Sequence, residues 1–440
     1  MSAAGSTAPL PRSCVPRRGV PPVELLASWR KFVVLIGAAA AVLLGAMPVF
    51  FGALAADTVT IGAIYPFAHD PDARAAIDTA VEIVDRPHAG LENLPLGAGQ
   101  GLPHLDRAKL AVSLADDLGN PSAAAAQALR LITREHVAAL VGGGGTAETL
   151  AATALAERHG VPLLVPDVTA PAITGRGISW IFRTTPLAAD IARIYVRFLA
   201  AATPAGVKIA SVALVFEDSA FGRTEADALR DALKAAGFMT ADIAYPANAA
   251  ALSAPVARLA EQQPDAVIFV SHAADAILFA KTMNNVSYKP TVEIGDDAGF
   301  SDPGFAAAVS NLSQGVVDRS VWSTGPPGSA TAIVNELYKT KTGRDLDDTS
   351  GRIVEGVFVL ADAIDRAGSI DPAAIQIALR QTDLTPDQLI VGYDGVKFDA
   401  TGQNTLAATY LTQLQGKQYV TVWPKPAPDR VLILPFKGWQ

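Results

Sequence analysis

Residues 142–145 are four consecutive glycines, set between the apolar run "VAALV" and the helix-forming stretch "TAETLAATALAERH", and the next apolar run, "VPLLV", ends at Pro166-Asp167. A glycine turn between a strand and a helix bares backbone N–H groups at the positive end of the helix dipole, a setting that suits an anion. Thr146 can cap the helix and offer its hydroxyl to the same space. Glu148 complements the dipole from the first turn and repels an incoming anion unless it points away. Three readings are open: a small anionic ligand, a tight turn lined with glycine for packing, or a dinucleotide site. For the last, Gly142, Gly144 and Ala147 satisfy a loose G-x-G-x-x-A spacing and Asp167 stands where a ribose-binding acid would. The unit is the third strand of its run and not the first, which counts against the dinucleotide.

Other chemistry is sparse. The six histidines are scattered without an H-x-x-x-H, and a single cysteine rules out CxxC, so no metal is expected. No phosphate loop of the G-x-x-x-x-G-K-[ST] kind and no G-x-S-x-G elbow is present, so neither cofactor nor catalytic nucleophile is expected. Acid pairs at Asp116-Asp117, Asp296-Asp297 and Asp347-Asp348 read as solvated turn residues, since adjacent carboxylates rarely converge on one substrate atom. Asp297 alone is kept as a binding candidate.

These groups need elements to position them, and the chain supplies a regular alternation. The β-branched "TVTIGAI" precedes "DPDARAAIDTAVEIVD", whose Ala76, Ile77, Ala80, Val81 and Val84 recur at helical spacing. "KLAVSLAD" reads as a strand, and "NPSAAAAQALRLITREH" as a helix with Asn120 as cap and Pro121 in its first turn. From Thr185 the beat restarts: helix 187–201, strand "IASVALVF", helix 222–236, strand 239–244, helix 250–263, strand "DAVIFV", helix 273–284 and strand "TVEIG". Helices over 329–341, 350–367 and 371–380 and a strand-rich tail follow. Alternation of this kind gives parallel sheets covered by helices. The Gly/Pro-rich residues 86–108 form a long connection, either a binding loop or a surface insertion.

The ends and the charge bound the function. Arg12, Arg17, Arg18, Arg30 and Lys31 precede an uncharged stretch from Phe32 to Ala56 that ends in Ala53-Leu54-Ala55, the pattern of a cleavable export signal over residues 1–55, with a membrane anchor as the alternative. Cys14 lies within it, so the exported chain would carry no thiol. Loss of five basic residues and one acid from 35 and 43 leaves 30 basic against 42 acidic residues, a poor surface for nucleic acid.

At this point a resemblance emerges. "LVGGGGTAETLAATALAERHGVPLLVPDVTAPAITGRGISWIFRTTP", "VALVFEDSAFGRTEADALRDALKAAG", "PDAVIFVSHAADAILFAKTM" and "LADAIDRAGSIDPAAIQIALRQTD" together resemble the periplasmic solute-binding proteins of branched-chain amino-acid ABC importers, over about residues 57–437. The resemblance implies an α/β fold of two Rossmann-like lobes joined by three crossing segments near Thr185, Val321 and Asp399. One lobe is expected from 57–185 plus 322–398 and the other from 186–321 plus 399–440. It also implies a ligand-binding set. Ala147, beside Thr146, aligns with the small hydroxyl residue that meets a ligand carboxylate, and Asp167 and Thr169 with the groups that meet its amino group. Phe221 and His272 align with two aromatic positions, and Asp297 with an acid that pairs with an ammonium; Tyr65 and Phe67 in the first loop are weaker candidates. The implied function is that of a periplasmic, monomeric binding protein, not an enzyme. It captures an amino acid or related carboxylate and delivers it to ABC permease subunits. A ligand sensor acting on a protein partner and a nicotinamide-dependent oxidoreductase are the alternatives.

Overall fold

The protein is described from a computed structural model over residues 58–201, 209–296, 298–309, 311–424, 426 and 431–436. The expected export segment and Asp297 lie outside these residues. Buried apolar runs pair into two sheets. In the first, β1 (Thr58–Tyr65), β2 (Lys109–Asp116), β3 (Leu140–Gly142), β4 (Leu163–Val165) and β5 (Ile181–Arg183) stand in the order β2-β1-β3-β4-β5, all parallel. Parallel neighbours need crossovers, and α1 (Pro71–Asp85), α2 (Pro121–Thr133) and α3 (Thr146–His159) supply them. Asp70 and Asn120 cap α1 and α2 with a proline in each first turn, and Gly160 ends α3 in the left-handed conformation at φ 65°.

After α4 (Ala188–Ala201) comes a second set: β6 (Ser211–Glu217), α5 (Ala220–Ala235), β7 (Met239–Tyr245), α6 (Ser253–Gln262), β8 (Ala266–Val270), α7 (Ala273–Met283), β9 (Val292–Asp296), α8 (Ala298–Ser301), α9 (Pro303–Val309) and β10 (Val317–Ser320). The chain then returns to the first sheet as α10 (Ala330–Thr342), α11 (Asp348–Ala367) and α12 (Pro372–Arg380), which share one apolar core with β1 and α1. A short antiparallel pair, β11 (Asp383–Leu384) and β12 (Val396–Lys397), precedes the last crossing. β13 (Tyr410–Gln415) and β14 (Gln418–Trp423) finish the second sheet, whose order is β14-β13-β10-β9-β8-β6-β7 with both β13 pairings antiparallel. This is the α/β architecture of two parallel-sheet lobes expected from the alternation.

The chain therefore passes between the sheets after β5, after β10 and after β12. The first and third passages are tied together: Arg183 Nε donates to Gln403 Oε1 at 2.6 Å, Gln403 Nε2 to the Thr185 carbonyl at 3.0 Å, and Asn404 Nδ2 to the Thr184 carbonyl at 3.1 Å. The long connection 86–108 is pinned, with Leu91, Leu94 and Leu102 buried in the core and His104 Nδ1 2.6 Å from Asp365 Oδ2. It does not reach the cavity described below.

One expectation is corrected by burial. Asp117, Asp296 and Asp348 are not solvated turn acids; each is at most 3% exposed. Asp296 ends β9, where Tyr195 Oη donates to it at 2.9 Å and Arg319 Nε at 3.0 Å. Asp348 opens α11, a helix with sixteen of its twenty residues buried. A helix apolar on nearly every face has no solvent side for a charge, so Asp348, Arg352 and Glu355 must find partners inside.

Candidate functional site: a cleft between the two sheets

The carboxyl ends of strands from both sheets face one cavity of about 480 Å³. From the first sheet come Tyr65 at the end of β1, the turn 143–146 after β3, and Asp167–Thr169 after β4. The second sheet contributes Phe221 in the first turn of α5 and His272 and Ala273 at the start of α7. The start of α11 closes the wall with Ser350, Arg352 and Ile353.

The glycine turn is a matter of space. None of residues 142–145 has positive φ. A Cβ on Gly142 would stand 2.8 Å from the carbonyl oxygen of Ile64, its partner in β1, and one on Gly144 would collide with Pro66. Gly145 is the cap residue of α3, extended at φ −160° and without a side-chain cap, and Thr146 is the first helical residue. Thr146 thus does not cap the helix; it lines the cavity, 8% exposed, beside uncapped backbone N–H groups. Ala147 is not on the wall. Glu148 turns away, toward Asp117 in a separate small void. Burial, reinforced by Glu148 and Asp116, pushes the Asp117 carboxyl up to about 6.

Asp167 is answered by a residue that local sequence gives no reason to place there. Arg352 Nε lies 3.3 Å from Asp167 Oδ1, and its Nη2 lies 3.1 Å from Asp348 Oδ2. Arg319 Nη1 reaches the same Asp348 oxygen at 3.8 Å. Charges therefore alternate from the cleft to the second sheet: Asp167, Arg352, Asp348, Arg319, Asp296. Thr169 donates its hydroxyl to Glu225 of α5, joining the loop after β4 to the opposite lobe. Glu225 carried a readable signal, an acid on the apolar stripe of Gly222, Ala226, Leu229 and Leu233.

Phe221 stacks on His272 at 5.0 Å between ring centres and 30° between planes, forming an aromatic surface on the second lobe. His272 Nε2 lies 3.8 Å from Glu217 Oε1. Across the cavity, Tyr65 is 1% exposed, and its buried hydroxyl has no hydrogen-bond partner among the described residues. Burial first, then the Asp167 and Asp70 carboxylates, holds that phenol well above its ordinary range. The structure thus brings Thr146, Asp167, Thr169, Phe221 and His272 to one cavity, while Arg352, Glu225 and the acids at the starts of α1 and α11 were not anticipated.

Comparison with known proteins agrees with this architecture. The model of the periplasmic binding protein family matches residues 58–418. The chain is 30% identical to the Leu/Ile/Val-binding protein homolog 8 of Brucella abortus (strain 2308), over 89% of this chain and 96% of the relative. Among solved structures, the leucine binding protein LivK of Thermotoga maritima MSB8 superposes with a TM-score of 0.69 at 19% identity, covering 84% of this chain and 99% of that one. A solute binding protein of an ABC transporter from R. palustris, in complex with benzoate, also reaches 0.69 at 18% identity, covering 83% and 95%. With the family's pattern running through nearly all the described residues and two parallel sheets facing one cleft, the chain belongs to the periplasmic binding protein family.

Proposed function

We propose that this protein is an exported solute-binding protein that closes two lobes over a small amino acid or related carboxylate and delivers it to an ABC importer. The observation that carries the reading is the cavity at the carboxyl ends of strands from both sheets, the place where α/β folds bind ligands. The uncapped start of α3 and Thr146 would receive the ligand carboxylate. Asp167 and Thr169 would face its amino group, and Phe221 with His272 its body. The lobes would comprise 57–185 plus 322–398 and 186–321 plus 399–440, the protein acting as a monomer with ABC permease subunits as partners.

A thermal-shift screen of amino acids, aromatic acids, short amides and NAD tests this reading. A ligand at 100 times its Kd stabilises the folded state by about 2.7 kcal/mol. Ligand is expected to compact the protein by rotation about the three passages, without change in secondary structure. A radius of gyration from small-angle scattering that is unmoved by a saturating ligand would count against the cleft, and micromolar NAD affinity against the transport reading.

Export by a cleaved signal is expected to leave a mature N-terminus at Ala56 or within about two residues of it. Mass spectrometry of the exported protein checks this. An intact chain in the membrane fraction would make Phe32–Ala56 an anchor.

A further inference from the structure

Resting on the cleft as the ligand site, the charge around it restricts what the ligand can be. Five carboxylates line the cavity, Asp70, Asp72, Asp167, Asp302 and Asp347, against two guanidiniums, Arg344 and Arg352. Arg344 pairs with Asp72, at 2.6 Å to Oδ2, and Arg352 with Asp167. Asp70, Asp302 and Asp347 form no ion pair among the described residues, although Arg344 lies near enough to Asp70 to favour its charged form. Two of these cap helices: Asp70 Oδ1 accepts from Ala73 N at 3.0 Å and Asp347 Oδ1 from Ser350 N at 2.7 Å. Capping, however, does not call for a charge, because asparagine or serine caps as well as aspartate. Beyond its modest interaction with the helix dipole, the negative charge at these two positions is not needed for the caps.

A second observation stands apart from the acids. Tyr65 lines the same cavity, and its buried hydroxyl has no partner among the described residues. A buried phenol without a partner is costly, so a site that keeps one suits a polar group that arrives from outside.

We propose that the ligand carries a cationic nitrogen, an ammonium or guanidinium on a short chain, which it presents to the wall formed by Tyr65, Asp70 and Asp347. Closing the lobes over uncompensated carboxylates is costly, and a ligand cation offsets that cost at the moment of closure. Burial already holds the Asp70 carboxyl above its usual range and pushes Asp347 up to about 6, with Asp302 and Asp348 adding to the latter. An aliphatic side chain would leave these carboxylates and the Tyr65 hydroxyl desolvated without partners. A second carboxylate would be repelled.

The experiment is calorimetric titration of the mature protein with L-lysine, L-arginine and agmatine against L-norleucine, L-leucine and benzoate. Lysine and norleucine differ only by the terminal ammonium. At least one cationic probe is expected to bind about 30-fold more tightly than norleucine, the equivalent of losing one partner of a desolvated charge pair. Asp70→Asn and Asp347→Asn retain the caps and should each weaken the cationic probe about tenfold or more. The wild-type comparison stands even where a variant fails to fold. Norleucine, leucine or benzoate binding as tightly as every cationic probe overturns the inference and leaves the solute-binding reading intact. Absence of binding by all three cationic probes also overturns it. Failure of every compound in the wider thermal-shift screen removes the cleft reading itself.

Discussion

Replacing Arg352 with methionine is expected to lower the free energy of unfolding by about 3–5 kcal/mol, the usual consequence of removing one partner from a buried ion pair. The guanidinium is 1% exposed and lies between Asp167 and Asp348, whose side chains are 9% and 2% exposed. Solvent screening therefore discounts little of the effect. Without Arg352, Asp167 loses the guanidinium beside it at the cleft, and Asp348 keeps the longer 3.8 Å contact with Arg319 and the hydrogen bonds that its Oδ1 accepts from Ser320 Oγ and Val321 N. Arg352→Lys should recover only part of the loss, because one ammonium does not reproduce a planar fork that spans two carboxylates. Adding Asp167→Asn to Arg352→Met should restore stability, since the orphaned charge and not the missing pair carries most of the cost. Urea unfolding of the three variants measures this. A loss below about 1 kcal/mol for Arg352→Met would mean that the charges running from the cleft to the second sheet do not depend on one another.

The opposite sign is expected at Glu293. This residue sits in β9, fully buried, with no described partner for either carboxyl oxygen. Burial alone pushes its carboxyl well above the ordinary value of 4.5. The folded state therefore holds a proton that the unfolded state releases as pH rises. The contribution of Glu293 to stability is at its best below pH 4.5 and is lost progressively above it, up to the raised folded value. Glu293→Met replaces the group with an apolar side chain of similar length. It is expected to stabilise the protein by about 2 kcal/mol or more at pH 8, with the gain shrinking toward pH 5. Thermal unfolding of both proteins across that range checks the size and the slope, and equal midpoints at pH 8 would refute the assignment. Glu355 provides the contrast: it is buried in α11 but accepts from Ile390 N at 2.8 Å, and its carboxyl rises only to about 7.

What the sequence determined by itself was everything with a local cause. The order of strands and helices follows from apolar periodicity. The starts of α1 and α2 follow from Asp70 and Asn120 with their prolines, and the end of α3 from Gly160. The glycine turn was readable as a place for a ligand because a strand, a turn and a helix lie adjacent in the chain. Even so, its first helical residue, Thr146, was misread as a cap, since one residue of slippage cannot be resolved without backbone angles. Only the tertiary structure decided the charges. Asp167 and Arg352 are 185 positions apart, and Thr169 and Glu225 are 56 apart; their contacts exist because separate helices pack on separate sheets. Asp296 and Asp348 look like turn acids in the chain, yet they are buried because the elements that bear them become central. Apart from the i,i+4 step from Asp348 to Arg352 on α11, these pairs have no period and no fixed spacing, so they leave no trace in the sequence until packing brings their two halves within a few ångströms and excludes the water that would otherwise solvate each alone.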